Sequence, residues 1–170
     1  RLLAFLMERL EVQQRETRVR HDLIDAVFAL GEDDLIRLLK RVDALDAFIL
    51  YSPGINLVPA YRRAANILKK EGYDAESKGV DTATYAPEPA ELALREAIAG
   101  IERPLADAIA RADFEGAMIM LAALRAPIDR FFDEVTVNDA DAVRRRQRLA
   151  LLDRFRAAVH KVADFSRIEG

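Results

Sequence analysis

An all-α fold, two helical lobes joined by one long loop, is the architecture this sequence predicts. Three observations predict it. Alanine and leucine dominate, glycine is held to 7 of 170 residues, and β-branched runs are missing, so strands have little to build from. Apolar residues recur at helical spacing through most of the chain. One stretch, residues 73–89, abandons that spacing and collects turn formers instead.

Residues 2–16 read as an amphipathic helix, with Glu8, Arg9, Glu11, Arg15 and Glu16 on its charged side. A short helix over 21–30 turns Leu23, Ile24, Val27 and Phe28 inward and stops at Gly31. Asp33 or Asp34 caps a third helix that runs to about Tyr51, with Leu35, Leu38, Leu39, Val42, Leu45 and Phe48 or Ile49 as its stripe. Ser52-Pro53-Gly54 reads as a turn. The helix after it, 54–72, places Pro59 in its first turn and Gly72 at its C-terminal cap. The loop 73–89 is expected to be mobile, and it separates an N-terminal lobe (1–72) from a C-terminal lobe (90–170) of one domain. Further helices are expected at about 88–101, 103–112, 114–125, 127–136 and 139–164. Pro104 and Pro127 suit first-turn positions, and Asn138 or Asp139 suits the last cap.

Bulk composition bounds the function. The chain is 51% hydrophobic and 32% charged, which marks a globular protein and not a disordered one. A net charge of −3 argues against a general polyanion binder but leaves room for a local basic patch. Cysteine is absent, so disulfides and thiolate metal sites are excluded. No apolar run has membrane-spanning length and the start carries no signal-peptide pattern, so a cytoplasmic location and no membrane partner are expected. The chain opens on Arg1 in mid-helix pattern and reads as a fragment of a longer protein.

Two basic clusters carry the functional signal. On the helix over 54–72, Leu57, Tyr61, Ala64, Ala65 and Leu68 form the apolar stripe. Arg62, Arg63, Asn66, Lys69 and Lys70 share the opposite side, four cations around one amide. Acids are nearly absent there, Glu71 sitting at the margin, so the usual i, i+4 compensation is missing. Such a face fits an anionic partner: arginine and lysine hold phosphates, and asparagine reads base edges. The second cluster, Arg144-Arg145-Arg146 with Arg148, divides. Arg148 falls on the apolar stripe of the last helix with Leu151, Leu152 and Phe155, where a cation must be paired. Asp129 and Asp133, spaced i, i+4 on the preceding helix, are its expected partners. Arg144, Arg146 and Arg154 lie away from the stripe and stay available to solvent or RNA.

Catalytic signatures are missing: there is no P-loop, GxGxxG, GxSxG or HExxH. His21-Asp22 falls short of the three ligands a metal site needs and reads as a helix start. No catalytic residue, metal or cofactor is therefore expected in this chain itself.

Three runs then stand out together. They are Leu124-Arg-Ala-Pro-Ile-Asp-Arg-Phe-Phe-Asp-Glu-Val, Arg148-Leu-Ala-Leu-Leu and Ala163-Asp-Phe-Ser-Arg-Ile. They closely resemble the C-terminal end of the β subunit of bacterial heterotetrameric glycyl-tRNA synthetases. Arg20-His-Asp-Leu-Ile-Asp-Ala-Val and Arg63-Ala-Ala-Asn-Ile-Leu-Lys-Lys resemble the same subunit further upstream, so the likeness covers essentially the whole chain. The chain departs from the usual pattern at Val135-Thr136-Val137-Asn138 and at Gln147. The resemblance implies a helical anticodon-binding domain of the DALR type. It implies recognition of glycine tRNA within an α2β2 enzyme whose aminoacylation site, with its ATP and Mg²⁺, lies on the α subunit. The rival expectations are a helical module docking a partner subunit through its basic face, and the equivalent domain of an arginyl-tRNA synthetase.

Overall fold

The computed structural model of the chain describes residues 4–6, 8–9, 21–50, 52–74 and 85–168. Residues 4–6 and 8–9 are helical and exposed; most of the helix expected over 2–16, and the middle of the loop expected over 73–89, lie outside the described residues. From residue 21 onward the described chain forms α1 (His21–Phe28), α2 (Leu35–Leu50), α3 (Ser52–Lys70), α4 (Pro89–Ala110), α5 (Phe114–Ala122), α6 (Arg125–Glu134) and α7 (Ala142–His160). A single 3₁₀ turn, Phe165–Arg167, closes the fold, and no strand occurs among the described residues.

The helices start and stop for local reasons. Asp34 caps α2, its carboxylate accepting from the amides of Ile36 at 2.9 Å and Arg37 at 3.2 Å. Gly72 ends α3 at φ +59°, with its amide bonded to the Lys69 carbonyl and the Tyr73 amide to that of Leu68. That pair of bonds is a Schellman cap, which needs a left-handed residue and suits glycine. The same cap recurs after α4 with Ala112 in the left-handed position at φ +59°. Arg37 reaches across from α2 to donate to the exposed carbonyls of that terminus, Ile109 at 2.9 Å and Ala110 at 3.4 Å.

Prolines mark where boundaries differ from expectation. Residues 52–54 open α3 instead of forming a turn, so Pro59 lies inside the helix. Residues 88–101 and 103–112 are not two helices but the single α4, with Pro104 inside it. An interior proline costs about 3 kcal/mol. Here Leu94, Ile98, Leu105 and Ala108 are all fully buried on one stripe, and several buried apolar side chains at about 1.5–3 kcal/mol each outweigh one proline. The residue four before Pro104, Gly100, is exposed. The last helix begins at Ala142 and not near 139, because Asp141 is its cap, accepting from Val143 at 2.8 Å and Arg144 at 3.2 Å.

One continuous core runs from α1 to the 3₁₀ turn. Leu57, Tyr61 and Ala64 of α3 share it with Leu152, Phe155 and Val159 of α7, and α3 against α7 is the most extensive helix pairing. Phe165 is its closing plug: buried, with ring centroids 5.9 Å from Tyr61 and 6.4 Å from Phe48. The Asp164 amide donates to the Ala26 carbonyl at 2.9 Å, tying the end of the chain to α1. Gly54 lets α3 cross close to α2, since a Cβ there would overlap the Phe48 carbonyl.

Candidate nucleic-acid interface

The cations of α3 divide by what they touch. Tyr61 is buried in the core, with its hydroxyl donating to Asp164 at 3.4 Å and lying 3.3 Å from Nδ1 of His160. Arg62, next along, bends back to donate to the Ile168 carbonyl and so holds the chain's end in place. Arg63 is exposed, its guanidinium carbon 4.3 Å from the centre of the Phe132 ring on α6. Asn66, Lys69 and Lys70 are exposed, and neither lysine has a carboxylate partner among the described residues. An open groove of about 440 Å³ runs beside this strip, lined by Pro59, Arg62, Arg63, Asn66, Ile67 and Lys70.

Of the five residues placed on this face by spacing, then, four project from it and one is tied down. The position of Arg63 has a cause outside its own helix. Phe132 is half-buried on α6 and offers a ring face that attracts the guanidinium without neutralising its charge.

The second cluster is assembled differently. Arg148 is 3% exposed. Its Nε donates to Oε1 of Glu91 at 2.6 Å, and one terminal nitrogen donates to the Thr136 carbonyl at 2.7 Å and to Asp139 at 3.1 Å. The expected partners Asp129 and Asp133 are both exposed: α6 turns Ile128, Phe131 and Val135 inward, which points these two acids outward. Asp129 instead lies 3.8 Å from Arg125. Glu91 fills the vacated role, and it is fully buried. Its other oxygen accepts from the Tyr85 hydroxyl at 2.6 Å. Burial raises the Tyr85 pKa, and the bond to Glu91 and that residue's charge push it further, to about 12. Burial alone would lower the Arg148 pKa, but Glu91, Tyr85 and Asp139 together raise it. The amide of Asp141 holds the Asp139 carboxyl below its usual range, and Arg148 and Arg144 act in the same direction.

Glu91 and Tyr85 carried no sequence assignment, yet Glu91 had a legible signal. It lies on the Leu94–Ile98–Leu105 stripe of α4, as Arg148 lies on that of α7. Arg144 is half-buried, 5.6 Å from the centre of the Tyr85 ring, and Arg146 is exposed. Arg154 is held by Glu102 at 2.7 Å. His21 lies 3.3 Å from Asp25, one turn along α1. No described helix is long and apolar enough to cross a membrane.

The sequence of this region matches a known family. The family described as the DALR anticodon binding domain matches residues 57–166. The chain belongs to that family. Its match begins in α3 and ends at the 3₁₀ turn, so it contains the basic strip, the Arg148 cluster and the Phe165 plug. Curated relatives agree. A glycine–tRNA ligase β subunit of Rhodospirillum centenum is 53% identical over 99% of this chain and 24% of its own length. Proteins of the same name from Phenylobacterium zucineum and Cereibacter sphaeroides are 46% and 47% identical, each over 99% of this chain and 25% of the relative. The chain thus spans about a quarter of the length of these relatives.

Proposed function

We propose that this domain binds the anticodon arm of glycine tRNA as part of the β subunit of an α2β2 glycine–tRNA ligase. The observation that carries the reading is the α3 strip, where Arg63, Asn66, Lys69 and Lys70 line one exposed face beside an open groove. The family match and the names of the relatives support it. Lys69 and Lys70 would hold phosphates, while Asn66 contacts a base edge and Arg63 presents a flat guanidinium, over Phe132, to an unstacked loop base. Arg144 and Arg146 at the start of α7 are secondary contacts, and Arg62 acts by fixing the end of the chain. In this reading the domain is non-catalytic and cytoplasmic. ATP, Mg²⁺ and the attachment of glycine belong to the partner α subunit.

Gel-shift titration of the full-length protein tests this, with glycine tRNA and an anticodon-swapped version as ligands. Wild type is expected to discriminate between the two. Lys69→Glu with Lys70→Glu is expected to weaken binding and to flatten the dependence of log K on log salt by roughly 1.4–1.8 for two lost phosphate contacts. Affinity unchanged across several salt concentrations would overturn the assignment. Binding to neither tRNA, with the α subunit co-purifying, would point instead to a face that docks a partner subunit.

A further inference from the structure

A second cationic concavity lies where the end of α1, the middle of α2 and the last turn of α7 meet. It is an open depression of about 590 Å³, and its polar lining is Arg41, Arg156, His160 and Lys161, the remainder being alanine and leucine. No carboxylate is among the lining residues. The nearby acids brace the cations from behind. Glu32 lies 3.3 Å from one terminal nitrogen of Arg41, and Asp153 accepts from Arg156 at 2.8 Å. Asp164, which accepts from the Tyr61 hydroxyl, belongs to the buried side of His160.

Arg41 is the unusual member. It is 5% exposed, and its guanidinium lies 4.7 Å from the centre of the Phe114 ring, which closes one face. Its Nε is buried and has no hydrogen-bond partner among the described residues. Burial lowers the Arg41 pKa; Glu32 works against that and Arg37 adds to it. A buried guanidinium with an unmet donor is costly to a fold. Lys161 is exposed at the mouth with no carboxylate partner among the described residues. Cations near the ends of α1 and α7 would also offset the two helix dipoles, about half a charge at each end. That role needs charge near the termini. It requires neither a concave lining free of acids nor an arginine sunk into the core with an unmet Nε.

We propose that this pocket is an oxyanion site that takes a phosphate group. Tetrahedral phosphate offers several acceptors to two braced guanidinia and one ammonium, a match of charge and of donor number. The volume exceeds that of a free phosphate and leaves room for an ester substituent. The phosphate is therefore either a backbone phosphate of RNA or that of a small molecule. None of the polar lining residues lies on the α3 strip, so the site stands or falls independently of the anticodon-arm reading.

The test is ³¹P NMR of inorganic phosphate with the full-length protein at constant ionic strength. Wild type is expected to broaden the resonance. In a Lys69→Glu, Lys70→Glu background, which removes the phosphate contacts of the α3 strip, Lys161→Glu combined with Arg156→Gln is expected to cut the remaining broadening at least threefold. Because Arg156→Gln removes an internal pair, Lys161→Glu alone, at an exposed position, is measured beside it and is expected to give at least half the loss. No broadening by wild type, or broadening that survives Lys161→Glu in that background, would overturn the site. A tRNA arm then identifies the source. Displacement of phosphate by tRNA, with weaker tRNA binding by Lys161→Glu, assigns the pocket to RNA backbone; phosphate retained in the presence of tRNA assigns it to a small phosphorylated ligand. Either result supports the site, and neither depends on Lys69 or Lys70.

Discussion

Arg148 and the pair Lys69–Lys70 put the same charge to opposite uses. Arg148 lies on the buried stripe of α7, and three acceptors from Glu91, Thr136 and Asp139 surround it. Lys69 and Lys70 end α3 on its exposed face and meet no carboxylate among the described residues. A cation enclosed in this way contributes to which fold forms, and a partner has no access to it. A cation left open contributes little to folding and keeps its field for an external anion. The contrast teaches that runs of basic residues in one chain are not one signal. Their position on the helical wheel separates them, and the environment of that position decides the chemistry.

The comparison breaks first at Glu91. Glu91→Ala leaves Arg148 buried with half its charge compensation gone, and breaking such a pair typically costs about 3–5 kcal/mol. Urea denaturation should show a loss of that order. A Glu91→Met, Arg148→Met double variant should recover much of it, because a well-packed apolar pair avoids the desolvation of both ions. A loss below about 1 kcal/mol for Glu91→Ala would show that the cluster is not what holds α4 to α7.

Tyr85 sharpens the same side of the contrast. Tyr85→Phe removes a hydrogen bond to a charged acceptor, worth about 1.5–3 kcal/mol. Its pH signature has a definite sign. The phenol is held protonated in the fold, so its contribution is fully present below the ordinary tyrosine pKa near 10 and fades as pH rises towards about 12. Wild type should therefore lose stability between pH 10 and 12 more steeply than Tyr85→Phe. Parallel curves for the two proteins would remove Tyr85 from the account.

A smaller effect is expected at the cap between α4 and α5. Ala112 occupies a left-handed position that glycine adopts freely. Relief of about 1–2 kcal/mol of left-handed strain, less the roughly 0.4–1 kcal/mol of entropy that glycine adds to the unfolded state, should leave Ala112→Gly more stable by about 0.5–1 kcal/mol. A thermal melt that falls instead would mean the alanine methyl is held by packing.

Much of this was legible beforehand, and the failures share a cause. The helical class, the Asp34 and Gly72 caps, the α3 stripe and the misplaced Arg148 all follow from local spacing, because each depends on one helix. What the spacing missed depends on two. Asp129 and Asp133 looked suitable for Arg148 because they are near in sequence, but the inward face of α6 is set by Phe131 and Ile128 and turns both acids out. Glu91 and Tyr85 lie 57 and 63 positions upstream of Arg148, and pairing across that distance is settled by packing alone. Pro104 misled for the same reason: a breaker by local rule, it is overridden by a stripe that packs on both sides of it. Within the binding strip, one-dimensional reading gave Arg62 and Arg63 equal standing. Only the fold shows that the first reaches the Ile168 carbonyl and the second lies over Phe132.

The smallest effect on stability is expected where the effect on binding is largest. Lys69→Ala with Lys70→Ala removes two exposed side chains that make no ion pair with a described carboxylate, so at high salt the unfolding free energy should move by less than about 0.5 kcal/mol. Both lysines lie in the last turn of α3, where cations favour the helix dipole by about 0.3–1 kcal/mol at low ionic strength. The small loss that does occur should therefore shrink as salt is added. Denaturation at low and high salt separates that term from packing, which salt leaves unchanged. A loss above about 1.5 kcal/mol that persisted at high salt would place these lysines with Arg148, as structural cations, and the strip would lose its claim to be a surface kept open for an anion.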